Sequence, residues 1–144
     1  MAKKEKPSDG DVEQRLFRVR PTKQARKDCD DLLESKREAL GVISQLKLLR
    51  HWPLNEKQQE KLGSDLDFSK VHHNGETFYE LRLDDEHLHM KNLRVFFWIN
   101  DKRNTIWIMH GYWKKVQRLE NTVKTLVARR IKSLKGEMQD GSVK

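Results

Sequence analysis

Four residues in the second half of the chain have the side chains that handle a phosphodiester: Arg94, His110 and the adjacent pair Lys114-Lys115. A guanidinium can grip a phosphate with two parallel N–H bonds. Lysine ammonium groups add compact positive charge, and an imidazole can take or give a proton near neutral pH. Tyr112 and Trp113 stand between His110 and the lysines, and Arg118 follows. Aromatic faces beside cations are stacking platforms for unpaired bases. Each residue also has an ordinary reading. Arg94 could pair with Glu80 or Asp84 on a neighbouring strand, the lysines could be solvated residues before a helix, and His110 could be a hydrogen-bonded strand end. Trp52, Trp98 and Trp107 fit a core, while Trp113 is the candidate for an exposed ring.

The elements that must position these groups are legible around them. Leu93-Arg94-Val95-Phe96-Phe97-Trp98-Ile99 is a short run of β-branched and aromatic residues, the pattern of a strand. Alternation puts Leu93, Val95, Phe97 and Ile99 on one face and Arg94, Phe96 and Trp98 on the other. Asn100 to Asn104 supplies turn residues, Thr105 to His110 a second strand, and Gly111 to Lys115 is expected to leave the sheet. Apolar positions then take helical spacing at Leu119, Val123, Leu126, Val127, Ile131 and Leu134.

Upstream, Leu16 to Arg20 fits a short strand closed by Pro21. Thr22 is placed to cap a long helical stripe running from Ala25 to Leu49, split or kinked at Gly41 and ended by Pro53. Asn55 to Leu62 predicts a short helix capped by Asn55 and stopped at Gly63. Phe68 to Val71 and Thr77 to Leu83 flank His72-His73-Asn74-Gly75-Glu76, and Asn-Gly signals a hairpin turn. Asp84-Asp85-Glu86 reads as an acidic loop. The expected domain spans 15–135, with a disordered basic arm at 1–14 and a flexible tail at 136–144. Strands joined by tight turns pair antiparallel, so the fold class is α+β: an antiparallel β-sheet with N-terminal helices and a C-terminal helix, the helices on one face.

Composition sets the partners. The chain has 144 residues, net charge +8, 35% hydrophobic and 36% charged residues. Between Lys91 and Lys135, Lys91, Arg94, Lys102, Arg103, Lys114, Lys115, Arg118, Lys124, Arg129, Arg130, Lys132 and Lys135 face only Asp101 and Glu120. Such a balance favours nucleic acid, an acidic protein or anionic lipid, and clustered cations gain by releasing counterions from phosphates. No apolar run is long enough to span a bilayer and no signal-peptide pattern opens the chain, so no membrane role is expected. The single Cys29 excludes an internal disulfide, fits a cytoplasmic location, and lies among carboxylates that disfavour a reactive thiolate. His72, His73, His87, His89 and His110 lack cysteine partners and helical ligand spacing, so no metal and no cofactor are expected.

Read in order, Tyr79-Glu80-Leu81-Arg82, Leu93-Arg94-Val95-Phe96-Phe97 and Met109-His110-Gly111-Tyr112-Trp113-Lys114-Lys115 with Gln117 resemble the RelE/ParE toxin superfamily, nearest to its HigB-like, phage-related branch. The resemblance covers about Leu62 to Leu134. It implies a RelE-like fold and a ribosome-dependent endoribonuclease that cuts mRNA, neutralised by a cognate antitoxin from a neighbouring gene. It also implies Arg94 as phosphate stabiliser, Lys114 and Lys115 as the paired lysines ending the last strand, and Arg82 as the Glu-Leu-Arg arginine. His110 and Tyr112 become the candidates for proton transfer or base stacking, with Trp113, Arg118 and Lys91 binding the nucleic acid. The rival class is a non-catalytic binder, either a ParE-like gyrase inhibitor or a basic nucleic-acid-binding module.

Overall fold

A computed structural model of the protein describes residues 16–32, 36–83, 93–113 and 120–139. In chain order, these form β1 (Arg18–Pro21), α1 (Lys23–Leu32), α2 (Lys36–Lys47), a 3-10 turn (Leu48–His51) and α3 (Glu56–Leu62). β2 (Asp67–His73), β3 (Glu76–Leu83), β4 (Leu93–Asn100), β5 (Thr105–Trp113) and α4 (Glu120–Gln139) follow. The sheet order is β1-β5-β4-β3-β2. The hairpin pairs are antiparallel, as tight connections require. β1 lies parallel to β5, because the helices that follow it carry the chain away from that edge before β2 begins.

Local chemistry explains the boundaries. Thr22 Oγ1 accepts from the Ala25 N–H at 3.1 Å and starts α1; Asn55 Oδ1 accepts from the Gln58 N–H at 2.8 Å and starts α3. Gly63, at φ 65°, closes α3 in the left-handed conformation that glycine tolerates best. Asn74 at φ 50° and Gly75 at φ 80° join β2 to β3, the two-positive-φ turn that Asn-Gly favours.

Three boundaries and the placement of the helices differ from the expectations. Gly41 lies inside α2 and does not split it; helix interiors tolerate one glycine at a cost of about 1 kcal/mol. β5 continues through Gly111, Tyr112 and Trp113, which pair with Val95, Arg94 and Leu93. α4 runs past Gly136 to Gln139, where Asn100 Nδ2 reaches Met138 Sδ at 3.3 Å. Helices also cover both sheet faces. Leu81, Leu83, Leu93, Val95, Phe97, Ile106 and Ile108 pack with Phe17, Ala25, Val42, Leu49 and Leu54. Val71, Phe78, Phe96, Trp107 and Met109 pack with Val127, Ala128, Ile131 and Leu134 of α4. The second face carries Phe96 and Phe78, both fully buried. Each such ring gains about 1.5–3 kcal/mol on leaving water, so this face too needs a helix.

β1 is shorter than β5, and α1 covers the part of the β5 edge that β1 leaves. The Thr22 N–H donates to the Ile108 carbonyl at 3.1 Å, which hands the edge from strand to helix. That handover brings α1 beside His110. Among the described residues, no helix is long and apolar enough to cross a membrane.

Candidate functional site

The site begins with a register shift. Across β4 and β5, Trp98 pairs with Trp107 and Phe97 with Ile108, but Phe96 pairs with His110, leaving Met109 as the extra residue of a bulge. A one-residue insertion reverses which side chains share a face. Trp107 and Met109 pack under α4, and after the bulge His110 and Tyr112 stay on that same face beside Phe96 and Arg94. The rings confirm it: Tyr112 stacks on Phe96 at 5.9 Å and on His110 at 6.0 Å between centroids.

On this face β3 contributes Glu80 and Arg82 and β4 contributes Arg94. Arg82 and Arg94 are directly opposed in register, an unfavourable pairing for like charges. Glu80 relieves it, with carboxylate oxygens 3.8 Å from Arg82 and 3.7 Å from Arg94. Arg82 is further held by Asp67 Oδ1 at 3.1 Å and by the Ser69 hydroxyl at 2.9 Å. Glu80 and Arg94 are both buried. The cross-strand ion pair is thus the arrangement Arg94 adopts.

His110 has a different set of partners. Its Nδ1 lies 2.7 Å from Asp28 Oδ2 on α1. Arg130 Nη1, on α4, donates to the same oxygen at 2.8 Å and to the Met109 carbonyl at 3.0 Å. Burial, reinforced by the Arg130 charge, lowers the His110 pKa below its usual 6.5 although Asp28 pulls the other way. Burial would raise Asp28, but hydrogen bonds from Arg130 and His110 outweigh it and hold the carboxyl below 3.8. Tyr112 moves in the opposite direction, pushed up to about 12 by burial and by the negative charges of Glu80 and Glu120. A neutral imidazole and a firmly protonated phenol therefore sit ring to ring.

Beside this cluster, Arg20, Lys23, Arg129 and Arg130 line an open groove of about 720 Å³ floored by Trp107 and Met109. Arg20 lies over the Trp107 ring at 5.4 Å, and Glu137 is the acidic side chain among the described residues that line the groove.

A chain of the archaeal RelE–RelB complex from Pyrococcus horikoshii OT3 superposes with a TM-score of 0.50 over 71% of this chain and 99% of its own, at 23% identity. The fold is RelE-like. A chain of the RelBE2 toxin–antitoxin complex from Mycobacterium tuberculosis is 17% identical over 69% of this chain and 92% of its own, with a TM-score of 0.46. No protein-family model matches the sequence, and no curated protein is a significant match.

On this RelE-like scaffold, Arg82, Arg94, His110 and Tyr112 of the expected site share one sheet face. Lys91, Lys114, Lys115 and Arg118 lie outside the described residues, as do His87 and His89. Trp113 ends β5, and its indole is not among the described side chains. His72 bonds Thr77 at 2.8 Å and His73 bonds Thr125 at 2.9 Å, both structural contacts. Among the described residues, no His, Cys, Asp and Glu side chains group as a metal site. Asp28 and Arg130 were not singled out from sequence. They stand 82 and 20 residues from His110, and no local spacing marks either as its partner.

Proposed function

We propose that this chain is the toxin of a type II toxin–antitoxin pair, an endoribonuclease of the HigB-like kind that cuts mRNA on the ribosome. One observation carries the reading: His110 and Tyr112 lie stacked on one sheet face with their ionisations pushed apart. A neutral imidazole can accept a proton and a protonated phenol can donate one, so the pair can divide the roles of base and acid. The RelE-like fold supports the same reading.

In the proposed reaction, His110 Nε2 takes the proton of a ribose 2′-OH, and that oxygen attacks the adjacent phosphorus in line. The bond from phosphorus to the 5′ oxygen breaks, and the Tyr112 hydroxyl, buried in the free chain and uncovered as RNA binds, gives its proton to that oxygen. A 2′,3′-cyclic phosphate and a 5′-OH result. Lys114 and Lys115, which follow β5 directly, offset the charge growing on the phosphoryl oxygens. Arg94 and Arg82, gathered on Glu80, contribute through the local field. The basic groove lined by Lys23, Arg129 and Arg130 is complementary to an acidic segment, and the antitoxin is proposed to supply one.

One observation favours the rival. Arg94 and Arg82 are engaged by Glu80, Asp67 and Ser69, as in a binding protein whose cations hold its own sheet together. Expression of the parent chain, of His110→Gln and of Tyr112→Phe, with message ends mapped by primer extension, separates the two. New 5′ ends with the parent and none with either variant are expected. Growth arrest with intact messages and induced DNA damage would instead identify a protein-binding toxin acting on gyrase. No arrest at all would remove the toxin reading.

A further inference from the structure

We propose that Asp28 is a positioning residue for His110: it holds the imidazole as the Nδ1–H tautomer, so that helix α1 is part of the reacting site. The geometry supplies the reason. An ionised carboxylate only accepts hydrogen bonds, so at 2.7 Å from Asp28 Oδ2 the His110 Nδ1 must carry the proton. In the neutral ring that leaves Nε2 with its lone pair, the form a base requires. Such a partner fixes ring orientation as well as tautomer.

Arg130 makes the arrangement conditional on Asp28. Its Nη1 lies 3.2 Å from His110 Nδ1, with both nitrogens turned toward one carboxylate oxygen at 2.7 and 2.8 Å. Two N–H groups that close repel unless an acceptor stands between them. With the carboxylate gone, the guanidinium has the imidazole nitrogen as its nearest acceptor apart from the Met109 carbonyl at 3.0 Å. A guanidinium cannot give up its role as donor. It would then donate to Nδ1 and force the ring into the Nε2–H form, with no lone pair left on Nε2. Among the described residues, the charged and titratable groups around His110 are Asp28 from α1, Arg130 from α4 and Tyr112 from its own strand. Of these, only Asp28 accepts at Nδ1.

The catalytic consequence rests on the nuclease reading, but the tautomer does not. The test uses the full chain with ¹⁵N-labelled histidine, recorded by long-range ¹H–¹⁵N spectra across pH 5 to 9. The parent is expected to show His110 protonated at Nδ1, and Asp28→Ala to show it protonated at Nε2. An Nε2–H ring in the parent overturns the proposal without any variant, so failure of Asp28→Ala to fold does not shield it. An unchanged tautomer in a folded Asp28→Ala chain overturns it too. Cleavage by Asp28→Ala should fall about 10²-fold, the lower end of what a positioned base contributes. Full cleavage with an inverted ring would show that the tautomer has no bearing on the reaction, and would sink the positioning role. A parent with the expected tautomer but no cleavage of RNA would overturn the nuclease reading and leave Asp28's hold on His110 intact.

Discussion

Arg94 Nε lies 3.7 Å from Glu80 Oε2, with each side chain less than a tenth exposed. Removing one partner of a buried pair strands the other charge, at a cost of about 3–5 kcal/mol, although replacing both can be neutral. Arg94→Ala should therefore destabilise the fold by about 3 kcal/mol, the lower end because Arg82 remains near Glu80. Arg94→Met with Glu80→Met should recover most of that loss. Urea unfolding midpoints of the single and double variants measure it. A parental midpoint in Arg94→Ala would mean that the pair carries no structural burden.

Tyr112→Phe separates chemistry from folding at the next position along that face. No described residue hydrogen-bonds the buried Tyr112 hydroxyl, so removing it breaks no bond within the described set. The Phe96 and His110 stacking survives in phenylalanine. Unfolding stability should stay within about 0.5 kcal/mol of the parent. Cleavage should drop roughly 10²- to 10⁴-fold, the range for a lost general acid. Equal cleavage by parent and variant would remove Tyr112 from the proton-transfer role.

How much of this was legible follows from the range of the interactions involved. Alternation along Leu93 to Ile99 correctly divided the β4 side chains between two cores, because strand period is local. The caps at Thr22 and Asn55 and the Asn74-Gly75 turn were equally readable, since each bond spans a few residues. The extension of β5 to Trp113 was not, because a bulge at Met109 breaks no sequence pattern; it is a property of the pairing with β4. Covering both faces depends on where α4 docks, which helical periodicity does not specify. Asp28 meets His110 only because β1 is short enough for α1 to take over the β5 edge.

The turn that joins β2 to β3 offers a check on the sheet itself. Gly75 holds φ 80°, and a Cβ there would meet no atom within 4 Å, so a substitution acts through the backbone alone. Gly75→Ala should lower stability by about 1 kcal/mol, the penalty for an L-residue in the left-handed region. Thermal melts followed by circular dichroism measure the loss. A neutral or stabilising result would mean that the hairpin does not hold this turn.

The pH dependence follows from His110 and Asp28. His110 in the folded chain has a pKa below 6.5, so the neutral base forms at a lower pH than in a free histidine. Cleavage should rise with pH along a limb whose midpoint lies under 6.5 and then stay level through the neutral range. Tyr112, at about 12, releases its proton too late to turn the profile down there. Stability moves in the same sense. Between 6.5 and the lower folded value, the unfolded chain binds a proton that the folded one refuses, so stability declines as pH falls through that window. The Asp28 contribution is present above 3.8 and is lost as pH drops through its still lower folded value. Arg130→Gln removes a charge that disfavours the imidazolium, so it should move the activity limb to higher pH while the Asp28 hydrogen bond to His110 persists. Rate profiles of parent and variant from pH 4 to 9, read beside urea midpoints at the same pH values, test both signs. A parental limb centred at or above 6.5, or one that Arg130→Gln shifts downward, would show that His110 is not the group that titrates.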